Sequence, residues 1–169
     1  MDMFALHPYL ETSKLAPTFS HPLSRVIALN DYGKLVALLG EAFDGTAQRG
    51  TTLPILYDEF GVQSRIVPAK ARLYTNGTTR VAGDAVSEAI QAAFYREALE
   101  LAACQPTVVG LLLFHVSDES DLRAWQSGLY YSDDTPKSSL APVRDAAEAA
   151  RANTLVPLCS LPLSLASPR

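Results

Sequence analysis

The sequence predicts an α/β fold in which parallel strands alternate with helices. Two short apolar runs, residues 53–57 and 108–116, each end in a polar stretch, which is typical of strands in a parallel sheet buried on both faces. Three amphipathic segments, near residues 31–43, 86–103 and 142–150, fit helices that follow a strand. This alternation predicts right-handed crossovers, with the long loops gathered at the carboxyl ends of the strands.

The first unit begins with a brief apolar strand at residues 4–9, which is expected to end near His7 because a proline follows. Asn30 or Asp31 can cap the helix after it, and Gly45 follows in the usual position beyond a helix end. Residues that recur at helical spacing in this segment are Leu35, Leu38, Leu39 and Ala42. In the second helix the predicted inner residues are Ile90, Ala93, Phe94 and Leu101.

Composition indicates an ordinary globular chain. It has 169 residues, 48% of them hydrophobic, and a formal charge of −4, so neither disorder nor a nucleic-acid surface is indicated. No apolar run approaches the ~20 residues of a membrane helix, and the acidic start of the chain does not resemble a secretory signal. Two cysteines are too few for a disulfide framework, and no Cys/His cluster indicates a zinc site. The sequence suggests no metal and no organic cofactor, and it leaves the compartment open.

The chemistry is expected where the strand at residues 53–57 ends. Asp58 and Glu59 follow this buried run directly, and active sites of parallel α/β proteins lie just beyond the carboxyl ends of strands. Taken alone, the two acids fit the start of a solvated loop equally well. Asp118 and Glu119, which follow the last strand, are interpreted as a solvated turn.

Four segments resemble the last third of a clan A glycoside hydrolase, a (β/α)8 barrel of the cellulase-like kind. They are residues 57–61 (YDEFG), 110–115 (GLLLFH), 125–131 (WQSGLYY) and 133–138 (DDTPKS). The resemblance implies a partial TIM barrel of about three β/α units. Its strands 6, 7 and 8 would be residues 4–9, 54–59 and 111–115. Residues 1–153 would form this part of the barrel, and residues 154–169 an irregular tail.

The resemblance also implies roles for individual residues. Glu59 matches the catalytic nucleophile, since a retaining glycosidase uses one ionised carboxylate for attack and a protonated partner about 5–5.5 Å away. His7 and Tyr9 would bind this nucleophile or a sugar hydroxyl, although a backbone-satisfied pair at a strand end remains open. His115 lies where such barrels place an aromatic platform, usually a tryptophan. Trp125 would stack on a sugar or, equally, wedge against the barrel.

The acid/base half of such a site is missing from the sequence. In this clan the acid follows an asparagine at the end of strand 4, and the chain contains no Asn-Glu pair. A complete barrel needs at least about 200 residues. The expectation is therefore a fragment of a retaining β-glycosidase that is nearly inert by itself. Its substrate would be a carbohydrate, and its partner a missing N-terminal barrel half or a second copy.

Other classes are weaker or remain as alternatives. Neither GxGxxG nor GxxxxGK[ST] occurs, which disfavours a nucleotide-binding domain. Ser127 lacks the first glycine of the GxSxG motif of serine hydrolases. The remaining alternative is a non-catalytic α/β interaction module, a barrel remnant that associates through its exposed strand edges.

Overall fold

Strands and helices alternate along the chain in the computed structural model, which describes residues 1–76 and 84–159. The three units are β1 (Phe4–Leu6) with α1 (Tyr32–Phe43), β2 (Ile55–Phe60) with α2 (Glu88–Ala102), and β3 (Val108–Leu113) with α3 (Leu140–Arg151). Two 3₁₀ turns, Leu29–Asp31 and Pro68–Leu73, lie in the connections. The predicted α/β class is confirmed.

The three strands form one parallel sheet in the order β1-β2-β3. Leu6 is paired with Tyr57, and Tyr57 with Leu111. The pairing of β2 with β3 is irregular between Tyr57 and Phe60, the stretch that contains the two acids. Because the strands follow one another in sequence order, right-handed crossovers place α1 and α2 on the same face of the sheet.

The core lies between this face and the helices. Ile55, Tyr57 and Phe60 of β2 are each at most 2% exposed, and they belong to one apolar cluster with residues of all three helices. The helical members of that cluster are Leu35, Leu39, Ala92, Tyr95, Ala98, Leu101 and Val143. Burial of each large apolar side chain contributes roughly 1.5–3 kcal/mol, so β2 is the best-anchored strand.

The opposite face of the sheet is accessible to solvent. Ala5, Leu56 and Gly110 are in register across the three strands, and a Cβ at Gly110 would lie 3.0 Å from Cδ1 of Leu56, so this side chain leans over the glycine. Leu112, two residues after Gly110 and therefore on the same face, is 54% exposed. Parallel sheets are normally covered on both faces, so this face is unusually bare.

The predicted inner face of α2 is wrong in part. Ile90 is 41% exposed and Ala93 is exposed, whereas Gln91 is fully buried. The helix is rotated from the hydropathy pattern because the Gln91 amide donates hydrogen bonds to the carbonyl of Val62, at 2.9 Å, and to two further loop carbonyls. Leu38 of α1, predicted to face the core, is 52% exposed.

The two cysteines form a disulfide that links Cys104, just after α2, to Cys159, although no disulfide framework was predicted. The tail was predicted to span residues 154–169. Residues 154–159 contain no helix or strand, and residues 160–169 lie outside the described residues. No helix in the described ranges is both long and apolar enough to cross a membrane.

Candidate active site

The predicted site residues lie at the carboxyl end of the sheet. His7 and Tyr9 follow β1, Asp58 and Glu59 are near the end of β2, and His115 follows β3. Neighbouring parallel strands bring their carboxyl ends to one edge, which is why residues about 50 positions apart meet here.

Glu59 is held by two groups from the segment that follows β1. The Tyr9 hydroxyl donates a hydrogen bond to Oε2 of Glu59 at 3.2 Å, and Nδ1 of His7 lies 3.1 Å from the same oxygen. Burial, and then the negative charge of Glu59, raise the pKa of Tyr9 well above its ordinary value. The phenol therefore stays protonated near neutral pH and remains a donor to the carboxylate.

His7 lies between the two acids. Its Nδ1 faces Glu59, while its Nε2 lies 3.4 Å from Oδ1 of Asp58. That Oδ1 atom is buried and accepts no hydrogen bond within the described part of the chain, so the imidazole approaches it at ion-pair distance without hydrogen-bond geometry. A buried acceptor without a donor is uncommon, and this one lies at the open end of the sheet.

An aromatic cluster adjoins the acids. The ring of Tyr9 lies 5.4 Å from that of Trp125 and 6.3 Å from that of Phe60, measured between centroids. Trp125 also packs edge-on against Phe114, at 5.6 Å, and remains 37% exposed. Trp125 is therefore wedged against the end of the sheet and still presents part of its surface to solvent.

His115 occupies a separate position from the Glu59 group. Its ring stacks on Phe114 with centroids 3.8 Å apart, and its Nδ1 lies 3.5 Å from Oγ of Ser127. The backbone of His115 has φ = +72°, a conformation that non-glycine residues rarely adopt. The structure thus brings His7, Tyr9, Glu59 and Trp125 into one chain of contacts and connects His115 to it through Phe114.

An open cavity of about 80 Å³ lies beside the aromatic cluster. Its walls are Tyr9, Phe60 and Trp125 together with residues 10–13 of the loop after β1 and Gln63 of the loop after β2. Glu59 and His7 do not line it, so the cavity neighbours the acids without containing them.

A buried ion pair supports the loops above the sheet, and the interpretation of Asp118 as part of a solvated turn is wrong. The side chains of Asp118 and Lys137 are 0% exposed, and Nζ of Lys137 lies 2.7 Å from Oδ1 of Asp118. Asp118 also accepts hydrogen bonds from the Tyr74 hydroxyl and the Gly128 amide, at 2.7 and 3.0 Å. Burial raises the pKa of Asp118 and lowers that of Lys137, while their mutual contact opposes both shifts.

Sequence patterns could not place this pair, because its partners are far apart along the chain. The sequence signal for this pair is the Thr-Pro-Lys stretch that ends at Lys137, which carries a family resemblance but does not indicate burial. Among the residues in the described ranges, no group of three or more His, Cys, Asp or Glu side chains is arranged to hold a metal ion.

Comparison with known proteins finds similarity in structure alone. No family model matches the chain, and no curated protein matches it. Two solved structures to which it is similar are the β-glucuronidases of Faecalibacterium prausnitzii and Lactobacillus rhamnosus. For the first, the identity is 19% and the TM-score 0.45. For the second, they are 13% and 0.47.

These alignments cover most of the chain but little of the enzymes. They include 88% and 94% of this chain, and 22% and 24% of the respective glucuronidases. The chain therefore spans less than a quarter of the length of the solved structures it resembles. Similarity at this level establishes neither a family nor a substrate for this chain.

Proposed function

We propose that this chain is the carboxyl-terminal part of a retaining β-glycosidase barrel, in which Glu59 is the nucleophile. In this proposal β1, β2 and β3 correspond to barrel strands 6, 7 and 8. His7, Tyr9, His115 and Trp125 bind the carbohydrate or the nucleophile. The observation that carries the proposal is the convergence of the Tyr9 hydroxyl and the His7 imidazole on one oxygen of Glu59, at 3.2 and 3.1 Å.

The arrangement suits nucleophilic attack by a carboxylate. A retaining glycosidase needs an ionised carboxylate aimed at the anomeric carbon, and the attack displaces the leaving group to form a glycosyl-enzyme ester. The hydrogen bond that the Tyr9 hydroxyl donates to Oε2 fixes the orientation of this carboxylate. The Glu59 side chain is 29% exposed, so a substrate can reach it.

The proposal requires an acid from another part of the barrel. Leaving-group protonation contributes about 10²–10⁴-fold to the rate. The adjacent carboxylate, Asp58, belongs to the same strand end and lies close to His7. The bare face of the sheet around Leu56 and Leu112 and the unpartnered Oδ1 of Asp58 are consistent with a missing cover. We infer that further β/α units supply both the cover and the acid, and that the chain alone is nearly inert.

The test starts from the DNA upstream of the Met1 codon, translated in all three frames. We expect additional β/α units with an Asn-Glu pair at a strand end. The joined polypeptide is then expressed and assayed with a panel of aryl β-glycosides. Glu59→Gln should lower kcat/KM at least ~10³-fold, whereas the matched control Glu41→Gln, an exposed change on α1, should leave it unchanged.

Two outcomes would overturn this proposal. Upstream DNA that encodes no such units would show that the chain has no further barrel part. Full turnover by the joined Glu59→Gln polypeptide would show that Glu59 is not the nucleophile. Turnover of an aryl glycoside by the isolated chain at the rate of the joined enzyme would contradict the inertness inferred above.

The bare sheet face also favours a second candidate, an interaction module that self-associates. Met3 and Leu112 are 46% and 54% exposed, and Val109 at the edge strand is 60% exposed. Sedimentation equilibrium measures this directly. A stable dimer that Leu112→Lys dissociates, with Leu38→Lys on the exposed side of α1 as the control, would favour the module, and a monomer at all concentrations would exclude it.

A further inference from the structure

The loop between β1 and α1 contains a buried imidazole that contacts a carboxylate on each side. The His21 side chain is 7% exposed, and its Nδ1 lies 2.7 Å from Oδ2 of Asp31 at the start of α1. Its Nε2 lies 2.9 Å from Oε2 of Glu11. The backbone amide of His21 also donates to Oδ1 of Asp31, at 2.7 Å. The His21 ring thus connects this loop to Asp31 at the start of α1 and to Glu11 within the same loop.

This geometry requires a doubly protonated ring. An ionised carboxylate is an acceptor only, and a neutral imidazole carries one N–H, so only the imidazolium donates to both Asp31 and Glu11. The hydrogen bond to Asp31 is the main cause that raises the pKa of His21 above its ordinary 6.5, and the hydrogen bond to Glu11 adds to it. Burial of the ring acts in the opposite direction but is the smaller effect.

The two contacts differ in strength. Asp31 is buried, accepts a further hydrogen bond from the Ala28 amide at 3.0 Å, and has Nζ of Lys34 4.0 Å from its Oδ1. Lys34 is the other charged group here, and it also donates to the carbonyl of His21. Glu11 is 53% exposed on its side chain, so it can return to water at little cost.

Loss of one proton therefore affects the two sides unequally. The remaining N–H stays on Nδ1, facing the buried Asp31, and Nε2 then presents a lone pair to the carboxylate of Glu11. Two acceptors at 2.9 Å repel each other, so Glu11 leaves. Glu11 and its neighbours in residues 10–13 form a wall of the cavity beside Tyr9 and Trp125.

We propose that His21 is a pH-operated latch that fixes the cavity wall at residues 10–13 while doubly protonated and releases it on losing the Nε2 proton. Since the folded state raises the pKa of His21, the latch is fully closed below about pH 6.5 and opens as pH rises through the higher folded-state value. The inference depends on this loop alone and not on the glycosidase proposal.

Nitrogen NMR of the histidine rings in the whole chain tests the latch. We expect both ring nitrogens of His21 to carry protons at pH 6, with a titration midpoint above 6.5, and the backbone amide signals of residues 10–13 to shift with the same midpoint. Glu11→Gln should lower the His21 midpoint by about half a pH unit. It should also abolish the loop shift, because a glutamine amide donates to neutral Nε2.

The exposed change Glu41→Gln on α1 serves as the matched control and should alter neither midpoint. Glu11 is a surface residue, so its variant is expected to fold, and circular dichroism checks this. A His21 midpoint at or below 6.5 would overturn the proposal. Loop amides that titrate independently of His21, or that still follow it in Glu11→Gln, would also overturn it.

Discussion

The Tyr9 hydroxyl and the Glu59 carboxylate join the ends of two neighbouring strands through a hydrogen bond of 3.2 Å. The same phenol packs against Trp125 and Phe60, so one side chain connects the acid to the aromatic cluster. The hydrogen bond from Tyr9 therefore orients the carboxylate. The contact also makes the ionisation of Tyr9 a direct reporter of Glu59.

Glu59→Gln is expected to lower the ionisation midpoint of Tyr9, because it removes a negative charge that disfavours the phenolate. Burial remains the main cause of the raised pKa, so the midpoint should stay above the ordinary value of 10.0. Carbon NMR of the tyrosine ring, labelled at Cζ, follows the titration. Asp58→Asn is the control, and an unchanged Tyr9 midpoint in Glu59→Gln would show that the contact does not exist in solution.

Stability is expected to fall at alkaline pH. Burial raises the pKa of several tyrosines above the ordinary 10.0, namely Tyr9, Tyr57, Tyr74, Tyr95 and Tyr131. The unfolded chain releases these protons first, so the free energy of unfolding declines as pH rises above about 10. Urea unfolding at pH 8, 10 and 11 measures this, and a midpoint that stays constant across the three would contradict it.

The fold was more predictable than the site. The apolar runs located β2 and β3 to within a few residues because a strand core depends on local sequence. The predictions for the inner face of α2 and for Asp118 are wrong because Gln91 and Asp118 are buried by partners distant in sequence. The Gln91 amide donates to the carbonyl of Val62, and Asp118 pairs with Lys137. Hydropathy assigns such side chains to the surface, and only tertiary contacts reveal that they are satisfied.

Lys137→Met should destabilise the chain by about 3–5 kcal/mol, because it leaves Asp118 charged and buried without its cation. The double variant Lys137→Met with Asp118→Leu should recover part of this loss, since no lone charge remains. Urea unfolding gives both values, and Lys14→Met, at an exposed position, is the control. A cost below about 1 kcal/mol for Lys137→Met would place the pair at the surface in solution.

Reduction of the disulfide should lower the free energy of unfolding by about 2–4 kcal/mol, because Cys104 and Cys159 close a loop of 55 residues that contains β3 and α3. Thermal unfolding with and without a reducing agent measures the change. The double variant Cys104→Ala with Cys159→Ala should have the same unfolding midpoint as the reduced protein, and the reducing agent should not change that midpoint. Equal midpoints for reduced and oxidised wild-type chain would exclude a structural bridge.

The backbone conformation of His115 can be tested separately from the chemistry of its side chain. With φ = +72°, glycine fits this position better than alanine, so His115→Gly should be more stable than His115→Ala by about 1 kcal/mol. Both variants remove the ring that stacks on Phe114, so the difference between their free energies of unfolding reports on the backbone alone.

At Leu38, an exposed position within α1, the same comparison should reverse, with alanine about 1 kcal/mol more stable than glycine. Urea unfolding of the four variants provides the measurement. If alanine is preferred at both positions, the turn after β3 adopts another conformation in solution, and the place of His115 beside the site changes with it.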